Sequence, residues 1–363
     1  MYKRQGQIRV GPRSAGSEPG PAAYGLGGTQ PTVTDANLVL GRLSADTFGA
    51  PGIDLVDTEA RAALTTHVAT PLGLNVETAA VGVTEVVDEN MANAARVHGV
   101  ENGKDISQFT MIAFGGAAPL HAGRLCEKLD TEELLVPPGA GVGSAIGLLR
   151  APFAYEALRT HYTPMNFFDH GSTNDLLDDL TDEASKFVQS ALGDSDDQAS
   201  TLEVERCAFM RYAGQGWEIP VRLDNGPFDH LGGELLANRF EKAYEEFFGR
   251  AIEGLLIEAI GWSVRVSTPR PDVEQVMRVD AQRDVIPERT RSIHDTVDDT
   301  VVEAAVIDRG TLTVGDRVTG PAVIVEEQTS TWLTAAQQAV LQTDRCLLVT
   351  RRSSDLSHTD SVE

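Results

Sequence analysis

At 363 residues the chain is long enough for two or three domains with a substantial core, and 41% hydrophobic residues mark it as globular. Its formal charge of -24 argues against nucleic acid and anionic membrane as partners, because both demand a basic surface. No apolar run approaches the roughly 18 residues of a membrane span, no signal-peptide pattern opens the chain, and Cys126, Cys207 and Cys346 fall outside any metal-ligand spacing; a reduced, cytoplasmic setting is the expectation. Lysine is scarce (Lys3, Lys104, Lys128, Lys186 and Lys242), which fits a salt-adapted cytoplasm or simply an acidic proteome.

Residues 1–5 do not blend into the Gly-rich stretch after them and read as a cloning or assembly scar, with the natural chain continuing upstream. Residues 6–33 are rich in Gly, Pro and Ser and read as an ordered loop, the alternative being a flexible tail. Thr34 or Asp35 then caps a helix with Ala36, Leu38, Val39, Leu40 and Leu43 on its apolar side. A short helix is expected over 54–64. From Asn75 the apolar positions Val76, Ala79, Val83, Val86, Val87, Met91 and Ala94 recur every three or four residues, so a long amphipathic helix runs to about Gly99. Glu85, Asp88, Glu89, Asn90 and Asn93 lie on its polar side, a solvated face for most of them, with Asn90 the candidate for a cleft.

Residues 110–152 form the centre of the pattern. A short apolar strand (111–114) meets the Gly115-Gly116 turn, a helix carrying His121, a second strand (134–136), then a Pro-Pro-Gly turn into a small-residue helix. Glycines at the end of a strand let backbone approach a ligand, and the first N–H groups of the next helix point outward. The other reading is a pair of turns that only reverse the chain.

Three ordered segments, residues 10–43, 86–129 and 134–149, together resemble the hydantoinase A / 5-oxoprolinase family, and weaker similarity continues through 210–223 and 319–335. The resemblance implies an α/β chain: part of an actin-like (ribonuclease H-like) ATPase fold, followed by an α+β domain and a small C-terminal β module. It implies ATP and Mg²⁺ as cofactors, with Gly115, Gly116 and Ala117 placing backbone near the nucleotide and Pro119 in the first helical turn, where a missing N–H costs little. Ala23 and Ala118 stand where the family often has Cys and Gly. The family's two phosphate loops of the form Asp-x-Gly-Gly-Thr have no counterpart in these residues. The chain is therefore expected to be the C-terminal part of the enzyme and inactive alone, since phosphoryl transfer needs groups for the metal and the phosphates.

The expected organisation is 1–152 for the actin-like part, 153–271 for the α+β domain, 272–299 for an acidic linker or edge region, 300–352 for the β module and 353–363 for a disordered tail. Within the second domain, 153–164 reads as an aromatic connector, 173–192 as an acidic helix, 202–211 and 217–223 as paired strands, 235–248 as a helix with Phe240, Tyr244, Phe247 and Phe248 as its apolar stripe, and 255–266 as a strand. In the module, Glu326, Glu327 and residues 329–331 could face a site or lie on a strand edge.

No Gly-x-Ser-x-Gly elbow, His-Glu-x-x-His or Walker loop is present, and no metal ligands are expected. His121 is a candidate acid or base, or a buried hydrogen-bonded histidine. Asp35 is a candidate catalytic carboxylate or a helix cap, and Asn37 and Asn90 are candidates for the substrate cleft. The resemblance implies ATP-dependent opening of a cyclic amide after phosphorylation of its oxygen. An ATP-using subunit of a ketone carboxylase and a non-catalytic fragment docking to a hydantoinase B-type subunit are the alternatives, and a homo-oligomer is compatible with each.

Overall fold

The computed structural model describes residues 6–48, 52–192, 202–270 and 277–352. The segments expected to be a scar (1–5) and a tail (353–363) lie outside the described residues. The chain divides into two compact units, Met1–Leu149 with Glu274–Glu363, and Arg150–Val273. Among the described residues no helix is long and apolar enough to cross a membrane.

The first segment carries α1 (Val33–Val39), α2 (Asp57–Leu64), α3 (Thr70–Leu72), α4 (Val76–Glu101), β1 (Met111–Ile112), α5 (Ala118–Leu129), β2 (Glu133–Val136) and α6 (Gly143–Arg150). The cap of α1 is Thr32, two residues before Thr34; Asp35 stands at the third helical position and completes a reciprocal capping box with it. Asn75 caps α4 by accepting from the Thr78 N–H. The apolar faces of α1, α2 and α4 close on one another through Ala36, Leu40, Leu64, Ala79, Ala80 and Val83, a helix-on-helix core built largely of small residues.

The second unit contains β3 (Ala154–Pro164), α7 (His170–Leu192), β4 (Glu203–Tyr212), β5 (Ile219–Leu223), α8 (Gly232–Phe248) and β6 (Ile257–Ser267). Its antiparallel sheet has the order β3-β6-β4-β5. Trp262, Val264, Met210 and Tyr212 on the sheet share one core with Leu177, Leu180, Ala184 and Val188 of α7 and Leu236 and Phe240 of α8. The segment expected to be a connector (153–164) is thus mostly strand. Only Ala157 and Thr163 of β3 are buried, so the segment lacks the apolar alternation that marks a strand, and its backbone pairing with β6 supplies the order instead. The expected aromatic stripe of α8 holds at Phe240, whereas Phe247 and Phe248 are exposed.

The chain then adds β7 (Arg283–Asp284), β8 (Arg289–Asp295), β9 (Thr300–Asp308), β10 (Asp316–Thr319), β11 (Ala322–Val325), β12 (Ser330–Leu333), β13 (Gln337–Leu341) and β14 (Leu347–Arg351). These strands share a unit with the first segment, and residues 300–352 do not form a sheet of their own. β14 runs antiparallel to β2, with Leu348 opposite Leu135, inside a six-stranded sheet of order β1-β2-β14-β13-β10-β7. With two and four residues, β1 and β2 are too short to persist as an isolated pair. Joining β14 places Leu134, Val136, Leu347 and Val349 in a common core. A second sheet, β12-β11-β9-β8, lies in the same unit. Part of the stretch expected to be an acidic linker is strand β8, where Ile293 is fully buried and the His294 N–H donates to the Leu40 carbonyl at 2.9 Å.

Candidate active site

The exposed part of the site is built from two strand-to-helix turns in one unit. After β1 the Ala113 N–H donates to the Leu135 carbonyl at 2.9 Å, and the Gly115 N–H donates to the Ala140 carbonyl at 2.6 Å, which ties the first turn to the second. Gly115 has φ 111°, a backbone state that L side chains rarely adopt, and a Cβ placed there would meet nothing within 4 Å. Gly116 and Ala117 are exposed. Ala117 begins α5 without a side-chain cap, and its N–H has no acceptor among the described residues. Pro119 is buried, so it starts the helix without offering a surface to a ligand.

The hairpin between β11 and β12 sits on both turns. The Thr329 hydroxyl donates to the Gly116 carbonyl at 3.0 Å, and Glu326 Oε2 accepts from the Gly139 N–H at 3.2 Å. Glu326 is paired with Arg309, whose other N–H groups donate to the carbonyls of Val136, Pro137 and Arg345. Of the candidate residues on this hairpin, Glu326 and Thr329 therefore reach the turns, while Glu327 is exposed.

Behind the first turn lies a closed polar clasp. His121 Nδ1 is 2.6 Å from Asp88 Oδ1, and His121 Nε2 is 3.0 Å from Asn37 Nδ2. The three side chains come from α5, α4 and α1, and their residues are 4%, 0% and 2% exposed. With Asn37 donating to Nε2, the Nδ1 position carries the proton and donates to Asp88. Both ring nitrogens are thus engaged and closed off from solvent. Asp35 is also fully buried; its carboxylate accepts from the N–H groups of Ala22, Ala23 and Thr32 and from the Thr32 hydroxyl. Its acceptor capacity is spent on the loop that precedes α1. Asn37 joins His121, whereas Asn90 is exposed.

The sequence reading missed Asp88, which it placed on the solvated face of α4. A usable signal was present: Ala80, Thr84, Asp88 and Ala92 succeed one another at four-residue spacing and are all buried. Arg42 was missed as well. It is fully buried, donates to Thr296 Oγ1 at 2.8 Å, and lies with its guanidinium 5.9 Å from the centre of the Trp332 ring. Burial pulls its pKa below the ordinary arginine value, against the opposing pull of the Asp88, Asp295 and Glu85 charges. Nearer the surface, Arg124 of α5 bonds Glu85 of α4 through two nitrogens, which with its Glu127 contact raises its pKa and adds a second tie between the helices.

These features define a mixed α/β protein with several sheets, in which a glycine turn at the start of a helix is exposed and the helix behind it is held by a buried histidine. Residues 1–157 match the hydantoinase/oxoprolinase family. The chain is 31% identical over 90% of its length to caprolactamase subunit alpha of Pseudomonas jessenii, of which it covers 47%. It superposes on the crystal structure of the ATP-dependent caprolactamase from the same organism with a TM-score of 0.73 and 29% identity, over 97% of this chain and 51% of that one. On nucleotide-free acetone carboxylase the TM-score is 0.74 with 25% identity, over 95% of this chain and 50% of that one. The match assigns residues 1–157 to the hydantoinase/oxoprolinase family. The chain spans about half the length of the curated relatives it matches.

Proposed function

We propose that this chain is part of an ATP-dependent amidohydrolase of the hydantoinase/5-oxoprolinase kind acting on a cyclic amide, and that Gly115, Gly116 and Ala117 lie against the adenosine side of an actin-like nucleotide site. The observation that carries the reading is the open turn itself: Gly115 at φ 111° with free space where a side chain would be, next to the exposed residue Ala117, whose N–H has no acceptor among the described residues. It stands in a chain 31% identical to a caprolactamase subunit. The turn fits the flat, uncharged part of a nucleotide, which backbone can approach closely only where no Cβ intervenes.

The charged part of ATP does not find the same fit. Among the described residues no group of three or more His, Cys, Asp and Glu side chains could hold a metal ion. Because the sequence also lacks the Asp-x-Gly-Gly-Thr loops, the reading assigns Mg²⁺ and the phosphates to none of the described residues, and the chain is expected to be inactive alone. ATP bound in the complete protein would supply the phosphoryl group that activates the amide oxygen. The residues of this chain contribute backbone shape at the turn and a fixed position for α5. On this reading His121 holds α5 against α1 and α4, because both its ring nitrogens are engaged away from solvent. Asp35 holds the 20–24 loop in the same sense.

The proposed partners are a cyclic amide and a hydantoinase B-type subunit; the Pseudomonas relative is itself named as a subunit. The second reading, an ATP-using subunit of a ketone carboxylase, is favoured by the likeness to acetone carboxylase. A titration with a fluorescent N-methylanthraniloyl ATP analogue tests the nucleotide assignment. Saturable binding that is lost in Gly115→Val supports it, and absence of saturable binding by the wild type overturns it. ATP turnover by the chain alone would overturn the expected inactivity. In the complete assembly, ATP consumption that depends on a lactam or hydantoin separates the first reading from consumption that depends on a ketone and bicarbonate.

A further inference from the structure

We propose that Thr329 is a positioning residue for the Gly115-Gly116 turn, and that the β11–β12 hairpin sets the direction in which the Ala117 N–H points. The inference rests on the reading of that turn as nucleotide-facing. Thr329 is 213 positions from Gly116 in the chain, yet its hydroxyl donates to the Gly116 carbonyl at 3.0 Å. The Gly116–Ala117 peptide is trans, so its carbonyl and its N–H point in opposite directions across one rigid plane. Holding the carbonyl on the hairpin turns the Ala117 N–H away from the hairpin, toward the exposed side of the turn. Glycine at 116 leaves one end of that plane loosely held, since no side chain restricts it, while the Ala117 carbonyl accepts from the Leu120 N–H at 3.1 Å and ties the other end to α5.

The hairpin is itself well anchored. Its ends are closed by the Glu326 N–H donating to the Thr329 carbonyl at 2.9 Å. Glu326 holds the Gly139 N–H of the second turn and is paired with Arg309, which is buried. Gly141 packs so closely that a Cβ there would stand 2.6 Å from both the Cβ and the carbonyl oxygen of Gln328. One short hairpin therefore touches both turns, and the Gly115–Ala140 hydrogen bond couples them. An anchored hairpin can pass its position to the Gly116 carbonyl through a single hydroxyl.

The test compares Thr329→Val, which keeps the shape and loses the donor, with Thr329→Ser, which keeps the donor. Binding of the N-methylanthraniloyl ATP analogue and amide exchange across the full chain are the two readouts. Thr329→Val is expected to weaken analogue binding by roughly 5- to 10-fold, and Thr329→Ser to stay within about twofold of wild type. The melting temperature of both should remain within about 3 °C of wild type. The hydrogen-bonded amides of Gly115, Gly139 and Val142 should exchange faster in Thr329→Val alone, with the remainder unchanged. Gly141→Ala, which lifts the hairpin without touching Thr329, should reproduce both effects. Wild-type affinity together with wild-type exchange in Thr329→Val overturns the proposal. If the wild type binds no analogue, the nucleotide reading falls and exchange decides alone: local acceleration reversed by serine retains the positioning role, and unchanged exchange removes it.

Discussion

Nδ1 of His121 lies 2.6 Å from Oδ1 of Asp88, thirty-three positions away on a different helix, and neither side chain reaches solvent. The contact joins α5, whose first turn carries Ala117 and Pro119, to the long helix α4. Asn37 closes the other side of the ring and brings in α1. Removing one member of such a set leaves the others buried without partners, which is more costly than the set is stabilising.

Asp88→Ala is therefore expected to destabilise the Met1–Leu149 and Glu274–Glu363 unit by roughly 3–5 kcal/mol. Asp88→Asn keeps an acceptor for His121 and removes only one of the three negative charges that offset the burial of Arg42, so a smaller loss of about 1–3 kcal/mol is expected. Urea titrations of both variants check this. In a double-mutant cycle with His121→Ala, the two losses should fall short of additivity by at least about 1 kcal/mol.

Asp35 is expected to act on folding. Its carboxylate accepts four hydrogen bonds from the 22–32 region while fully buried. Asp35→Ala should cost about 3 kcal/mol or more, well above the ~1 kcal/mol expected for Thr32→Ala, which loses the cap and one donor to Asp35 but leaves the carboxylate its three backbone N–H partners. Thermal unfolding compares the two. An Asp35→Ala protein that melts like wild type would make Asp35 a candidate catalytic carboxylate again.

Asp316 supplies a pH dependence of definite sign. It accepts from Arg283 through two nitrogens and from the Thr313 N–H and hydroxyl. The Arg283 hydrogen bonds, opposed by burial and aided by Thr313, hold its pKa below the ordinary 3.8. A carboxylate with a depressed folded-state pKa stabilises the fold above its unfolded value and loses that contribution as pH falls through the folded value. The stability difference between wild type and Asp316→Asn should be fully open and flat from about pH 7 to pH 5 and should close as the pH is taken down through the depressed pKa. Denaturation midpoints across that range measure it, and a gap that widens on acidification would contradict the assignment.

The three thiols should be slow to react. Burial, then the nearby Glu127 charge, pushes the Cys126 thiol up to about 12. Burial and the Asp344 contact do the same for Cys346, also to about 12, and burial raises Cys207. At pH 8 a thiol with a pKa of about 12 is about one part in ten thousand thiolate, the reactive form. Iodoacetamide should label the native protein far more slowly than the protein in urea, at each position as read by mass spectrometry.

Local patterning by itself determined much of this protein. The 3.6-residue period marked α4 and α7, the two-residue alternation marked β4 and β5, and the Gly-Gly and Pro-Pro-Gly punctuation marked the strand, turn and helix order of residues 110–152. Family membership was legible there too, because three ordered segments carry it within residues 10–149. Tertiary structure alone decided the partners. Periodicity placed the inner face of α4 at Ala79 and Val83 but not beyond, where the expected Met91 and Ala94 are exposed and Asp88 and Ala92 are buried, and it could not tell that Asp88 meets His121, since that depends on how α5 and α1 cross the helix. The same holds for β14, which joins β2 instead of closing a separate module, and for Thr329, which crosses 213 positions to reach Gly116. Sequence spacing encodes the direction of a side chain relative to its own element. What meets that side chain is set by packing between elements, where burying apolar surface and satisfying buried polar groups select one arrangement.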